Sequence, residues 1–131
     1  MKYMLDTNIC IYIINQKPTQ VLERFALHSI HDITISSISV AELAFGVEKS
    51  GSKRNKIALE KFLSPLTILP FSEQEMWHYA HIRHHLESQG KTIGPLDMLI
   101  ASHAISKDLT LVTNNTAEFK RISYLKLENW V

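Results

Sequence analysis

Four short runs with strand character, Tyr3–Leu5, Ile33–Ser36, Thr67–Phe71 and Leu109–Thr113, recur along the 131-residue chain with helical stretches between them. That alternation constrains the fold more than any other feature. Strands joined through helices do not pair as hairpins; they lie parallel through right-handed crossovers, in a sheet covered on both faces. The expected fold is therefore α/β, with a mainly parallel central sheet, as one domain over residues 1–131. In such sheets the functional site lies beyond the carboxyl ends of the strands. Chemistry is thus expected from the residues immediately after each strand.

The helical stretches carry their own punctuation. Ile9–Ile14 suits a first helix with Asn15 near its end, and Pro18 in a first turn predicts a second, reaching about His28. Ser39 with Glu42 has capping-box spacing and would open a helix to Lys49, after which Gly51 breaks the chain. Ser52–Leu63 reads as an amphipathic helix ended by Pro65. Ser72 with Glu75 repeats the capping-box spacing and opens a long helix to about Gln89, stopped by Gly90. Pro95 stands in the first turn of a helix to about Lys107, Asn115 caps a short turn through Arg121, and Leu125–Leu127 suits an edge strand.

Composition narrows the function classes. The longest uninterrupted apolar run, Ile9–Ile14, is far short of the ~20 residues of a membrane-spanning helix. Asp6 falls where the apolar region of a signal peptide would begin, and the single Cys10 excludes both an internal disulfide framework and a Cys-rich zinc site. A cytoplasmic protein is expected. Fourteen Lys and Arg against thirteen Asp and Glu give a net charge of +1, too balanced for nucleic-acid binding by overall charge. A polyanionic partner would have to be held by a local patch or through metal ions.

Acidic residues occupy the places that matter. Asp6 follows the first strand, Glu42 stands early in the helix after the second, Asp97 opens the helix before the fourth, and Asn115 and Glu118 follow that strand. Carboxylates brought together raise one another's pKa and oppose folding, and a hard divalent cation relieves that repulsion. Oxygen-only ligands favour Mg²⁺ or Mn²⁺. Spacing alone leaves other readings open: Glu42 as the partner of a Ser39 cap, Glu118 as the partner of an Asn115 cap, Asp97 as a complement to a helix dipole, and Asp6 as an N-cap.

Other chemistries find less support. No Gly-rich phosphate loop or dinucleotide fingerprint is present, and Asn8 stands where an aspartyl-phosphate enzyme commonly has a second Asp. Of the seven histidines, His78, His81 and His85 project from one side of their helix, opposite a face shared by Met76, Tyr79, Ala80, Arg83 and Leu86; a solvated face is the simpler account. His103 reads as a core residue. The densest basic run, Lys49, Lys53, Arg54, Lys56 and Lys61, is either a solvated helix face or a phosphate-binding rim.

Four segments together resemble a known family: Met4-Leu5-Asp6-Thr7-Asn8, Ser37-Ile38-Ser39-Val40-Ala41-Glu42-Leu43, Gly94-Pro95-Leu96-Asp97 and Leu111-Val112-Thr113-Asn114-Asn115. They look like a PIN-domain ribonuclease, and are most similar to the VapC toxins of bacterial type II toxin–antitoxin modules, in the enterobacterial-type branch. The resemblance spans essentially the whole chain. It implies a three-layer α/β/α domain and a Mg²⁺-dependent endoribonuclease, with Asp6, Glu42 and Asp97 at the core acidic positions and Asp6 and Asp97 on the metal. Asn115 stands where many relatives carry a fourth Asp, with Glu118 as its substitute, and Thr7 and Thr113 match supporting hydroxyl positions. It also implies cleavage of tRNA, initiator tRNA in its anticodon stem–loop, a VapB-type antitoxin in a hetero-oligomer, and a homodimer. Phe45, Val47 and the Ile57–Phe62 segment are the apolar candidates for the antitoxin surface.

Two other functions stay in view. A histidine-dependent ribonuclease would ignore chelators and leave a 2′,3′-cyclic phosphate. A catalytically weak PIN-like module that only binds RNA or a partner is the reading suggested by Asn115 in place of an acid.

Overall fold

The computed structural model describes all 131 residues. Five parallel strands, β1 (Tyr3–Leu5), β2 (Ile33–Ser36), β3 (Thr67–Leu69), β4 (Thr110–Val112) and β5 (Leu127–Glu128), lie in the order β3-β2-β1-β4-β5. The chain runs outwards from β1 to β2 and β3, then restarts on β1's other side with β4 and β5. The order therefore reverses between β1 and β4. A crevice opens at such a point beyond the carboxyl ends of the strands. Asp6 and Thr113, the residues next after β1 and β4, stand at its two lips.

Seven helices cover the sheet: α1 (Thr7–Asn15), α2 (Thr19–Ala26), α3 (Ser37–Ser50), α4 (Lys53–Leu63), α5 (Glu73–Ser88), α6 (Pro95–Ser106) and the short α7 (Thr116–Phe119). Because alternate strand residues face opposite ways, β1 feeds two separate cores. Tyr3 and Leu5 join Ile33, Ile35 and Val112 in one core, beneath Ile9, Cys10 and Ile13 of α1, Val21 of α2, Leu43 of α3 and Leu59 of α4. Met4 and Leu111 join the other, beneath Ile82 and Leu86 of α5, Ile100, Ala101 and Ala104 of α6, and Phe119 of α7. The result is a three-layer α/β/α sandwich. No helix is long and apolar enough to cross a membrane.

Several local expectations are corrected. Helix α3 starts at Ser37, capped by the Ser36 hydroxyl, which accepts from Ile38 N at 3.1 Å. Ser39 is consequently buried inside the helix, and the Ser39–Glu42 capping box does not form. Pro18 is the N-cap of α2 rather than part of its first turn. The last strand is Leu127–Glu128, not Leu125–Leu127. On α5 the inward stripe is Glu75, Ile82 and Leu86, with Tyr79 half-buried, while Met76, Ala80 and Arg83 are exposed along with His78, His81, His84 and His85.

The Ser72–Glu75 box does form, and it does more than cap. Glu75 is fully buried, accepts from Ser72 N at 2.8 Å and from the Ser72 hydroxyl, and reaches across to α6. There it accepts from the Ser106 hydroxyl at 2.9 Å, with the Lys107 ammonium 3.2 Å away. Burial by itself raises the Glu75 pKa, but these hydrogen bonds reverse the effect and hold its carboxyl well below the usual carboxylate range.

Candidate active site

The crevice gathers acids from four separate places in the chain. Asp6 is the N-cap of α1, its Oδ1 accepting from Thr7 N at 2.8 Å, as expected of an Asp between a strand and a helix. Its Oδ2 accepts from the Thr113 hydroxyl at 2.8 Å, a bond across the strand-order reversal. Capping thus fixes the Asp6 carboxylate without exhausting it, since an ionised carboxylate offers about four acceptor positions. Asp6 is buried, and that burial raises its pKa against the opposing pull of the Thr113 and Thr7 hydrogen bonds.

Glu42 lies on the second turn of α3, half-buried, and its Oε1 accepts from the Thr7 hydroxyl at 2.9 Å. Thr7 therefore serves two acids at once, Asp6 through its backbone N–H and Glu42 through its side chain. Asn115 precedes α7 but makes no side-chain cap; its amide donates instead to Glu118 Oε2 at 3.0 Å. Neither residue is a capping partner, and the amide orients the carboxylate. The turn that carries them is pinned by Asn115 N, which donates to the Thr113 hydroxyl at 3.0 Å.

Asp97, the third residue of α6, completes the set. Gly94 and Pro95 start that helix without a side-chain cap, and Asp97 stands half-buried in its first turn. Its pKa is pushed up to about 6, by burial first, then by the charge of Asp6, then by Glu118 within hydrogen-bonding reach, with Glu42 adding further. Asp6, Glu42 and Glu118 therefore lie near enough to Asp97 for their charges to act on it. None of them forms an ion pair with Lys, Arg or His. No three of them stand close enough to make a ready-made ligand set for one ion.

Sequence reasoning placed Asp6, Glu42, Asp97, Asn115 and Glu118 on the right elements, and the structure brings all five to one end of the sheet. It missed how Thr7 and Thr113 divide their hydrogen bonds, which depends on which strands are neighbours. The histidines do not join the pocket. Four are exposed on α5, and buried His103 pairs through Nδ1 with the Ser36 hydroxyl at 2.7 Å, its ring edge-on to Phe71. Of the apolar candidates, Phe45 and Ile57 are exposed, Val47 and Phe62 are half-buried against the core, and Leu59 belongs to it.

Comparison with known proteins agrees with this architecture. The PIN domain profile matches residues 3–124. The chain is 48% identical over 132 residues to "Ribonuclease VapC2" of Haemophilus influenzae, covering 100% of this chain and 99% of that protein. It is 44% identical over 131 residues to the "tRNA(fMet)-specific endonuclease VapC" of Shigella flexneri, covering 99% and 98% of the two chains. Among solved structures, VapBC2 from Rickettsia felis, bound to a DNA fragment from its promoter, superposes with a TM-score of 0.93 at 49% identity over 100% of both chains. With its parallel sheet, its crevice of acids and its end-to-end likeness to these proteins, the chain belongs to the PIN-domain family, among the VapC ribonucleases.

Proposed function

We propose that the pocket formed by Asp6, Glu42, Asp97 and Glu118 hydrolyses RNA phosphodiester bonds with the help of a divalent cation, Mg²⁺ or in its place Mn²⁺. The observation that carries this reading is the set of four acids sharing one crevice with no cationic side chain to balance them. The donor set fits a hard cation: it is all oxygen, it is anionic, and it contains neither thiol nor imidazole. Asp6 and Asp97 would hold the ion, directly or through water, with Glu42 and Glu118 completing the pocket. When bound, such an ion supplies an acidified water and neutralises charge on the phosphate.

The chain's own residues do the positioning. Thr113 and Thr7 N lock the Asp6 carboxylate, the Thr7 hydroxyl aims Glu42, and the Asn115 amide aims Glu118. Asp97, its pKa raised to about 6 by burial and then by its acidic neighbours, is ionised at a cost that a bound cation would relieve. Asn115 thus takes the part of an orienting group, which favours an active site over a merely binding module.

Relatives named as tRNA(fMet)-specific endonucleases make the anticodon stem–loop of initiator tRNA the proposed substrate, with inhibition of translation as the consequence. The VapBC complexes among the similar structures support a VapB-type antitoxin as partner, and with it we propose a hetero-oligomer built on a toxin homodimer, within the cytoplasm. A cleft of about 700 Å³ between α1, α3 and α4, lined by Ile11, Ile14, Leu43, Val47 and Ala58, is the proposed seat of an antitoxin helix. All 131 residues act as one domain in this reading.

The test is cleavage of initiator tRNA by the purified chain, with and without EDTA, followed by end-group analysis. Mg²⁺-dependent products with 5′-phosphate and 3′-hydroxyl ends are expected. Chelator-resistant cleavage leaving a 2′,3′-cyclic phosphate would overturn the assignment in favour of general acid–base chemistry.

A further inference from the structure

The chain's net charge of +1 gives it no broad field to gather RNA, so contacts to the phosphate backbone must be local. One such place exists outside the acidic pocket. A cleft of about 640 Å³ opens between the carboxyl end of α5 and α7, and Lys91, Lys120, Arg121 and His85 line it together with Gly90. No acidic residue lines it, and Ala117 is its sole apolar wall residue. Gly90, at φ 65°, ends α5 in the left-handed region that favours glycine, and nothing lies within 4 Å of where a Cβ would be. The backbone there is open to close approach.

Each wall of this cleft leads along the chain to one acid of the active site. One wall continues from Lys91 through Thr92 and Gly94 into the first turn of α6, where Asp97 stands. The other holds Ala117 immediately before Glu118 and Lys120 two residues after it. The walls are tied together, because the Arg121 guanidinium donates to the Thr92 carbonyl at 2.7 Å. Cations set beside a cleavage pocket in this way can hold the strand without neutralising the pocket itself.

Building on the nuclease reading, we propose that the α5–α7 cleft binds a backbone phosphate of the RNA substrate next to the scissile bond, through Lys91 and Lys120, and so registers the strand over the acids. Arg121 positions the two walls. The other basic run, Lys49, Lys53, Arg54, Lys56 and Lys61, belongs to α3 and α4 beside the apolar cleft and has no part in this contact.

The experiment compares wild type with K91A/K120A, both positions being exposed, and with K91R/K120R. Cleavage of an initiator-tRNA anticodon stem–loop should show KM raised about tenfold in the double alanine variant and kcat within about twofold, with the arginine pair near wild type. Affinity measured in a D97N background should depend less steeply on salt, the slope of log Kd against log salt falling by about 1 to 2. An unchanged KM and salt slope would overturn the inference while leaving the nuclease assignment intact. So would a loss carried by K53A/K56A instead. If the wild-type chain neither bound nor cut RNA, both readings would fall together.

Discussion

Glu75 and Asp97 are both carboxyl groups withdrawn from water, yet the protein treats them in opposite ways. Glu75 receives the Ser72 N–H, the Ser72 and Ser106 hydroxyls and the Lys107 ammonium, so its charge is fully answered from within the chain. Asp97 is half-buried among Asp6, Glu118 and Glu42, all of its own sign, and burial first, then their charges, push its pKa up to about 6. The first arrangement welds α5 to α6. The second weakens the fold locally and leaves acceptor positions turned towards a crevice. A buried acid satisfied by its own chain is part of the scaffold, whereas a group of acids left to repel one another is prepared for something that arrives from outside.

The sharpest way to break this contrast is to remove an acid from each place. Asp6→Ala or Asp97→Asn should lower RNA cleavage by on the order of 10³-fold or more, the scale seen when a group that stabilises the reacting charge is lost. Thermal unfolding without divalent ions should show both variants folded, Asp97→Asn at or slightly above wild-type stability and Asp6→Ala about 1 kcal/mol below it, because the α1 cap and the acceptor of the Thr113 hydroxyl are lost. Glu75→Ala should do the reverse. It leaves Lys107 and two serines without their partner, costing about 2 kcal/mol in denaturant unfolding, with cleavage retained at temperatures where the variant stays folded.

A smaller effect tests the supports of the pocket. Thr113→Val keeps the shape but removes the hydroxyl that holds Asp6 and the 113–115 turn, and should reduce cleavage by about 10- to 100-fold. Thr113→Ser should recover most of that loss.

The mildest test uses pH. The folded pKa of Asp97 lies above its unfolded value, so the folded state binds its proton more tightly, and stability falls as pH rises from about 4 to about 6. Glu75 has the opposite sign. Its folded pKa is lowered, so its contribution is present above the unfolded carboxylate range and is lost as pH falls below that range. Denaturant unfolding without divalent ions, from about pH 6 down into the acid range below about pH 4, should therefore give a flatter low-pH decline in Glu75→Gln and a flatter decline from about pH 4 to about 6 in Asp97→Asn.

Much of this contrast was legible in the residues before the fold was known. The Ser72–Glu75 box announced itself by spacing, because capping is a local interaction. Asp6 and Asp97 stood out by lying where strands meet helices. The Ser39–Glu42 spacing, equally local, misled: Ser36 caps one turn earlier, and Glu42 is drawn to the Thr7 hydroxyl across 35 residues of sequence. That pairing depends on α1 and α3 lying side by side, a fact of topology that no window of sequence contains. The α5–α7 cleft was missed for a similar reason, since Lys91 and Lys120 are 29 residues apart and meet only when the Gly90 turn and α7 are brought together. The run at Lys49–Lys61 drew attention simply because its charges are contiguous.

The Thr113 hydroxyl has a single proton, and Asp6 takes it, while one of its lone pairs is engaged by the Asn115 N–H. The rotor is thereby stopped with its dipole running one way, from the turn that leads to Glu118 into the acid at the end of β1. It works as the pin of a hinge. The 114–118 turn and the Asp6 carboxylate thus share one fixed point, and a shift of the turn would re-aim the acid.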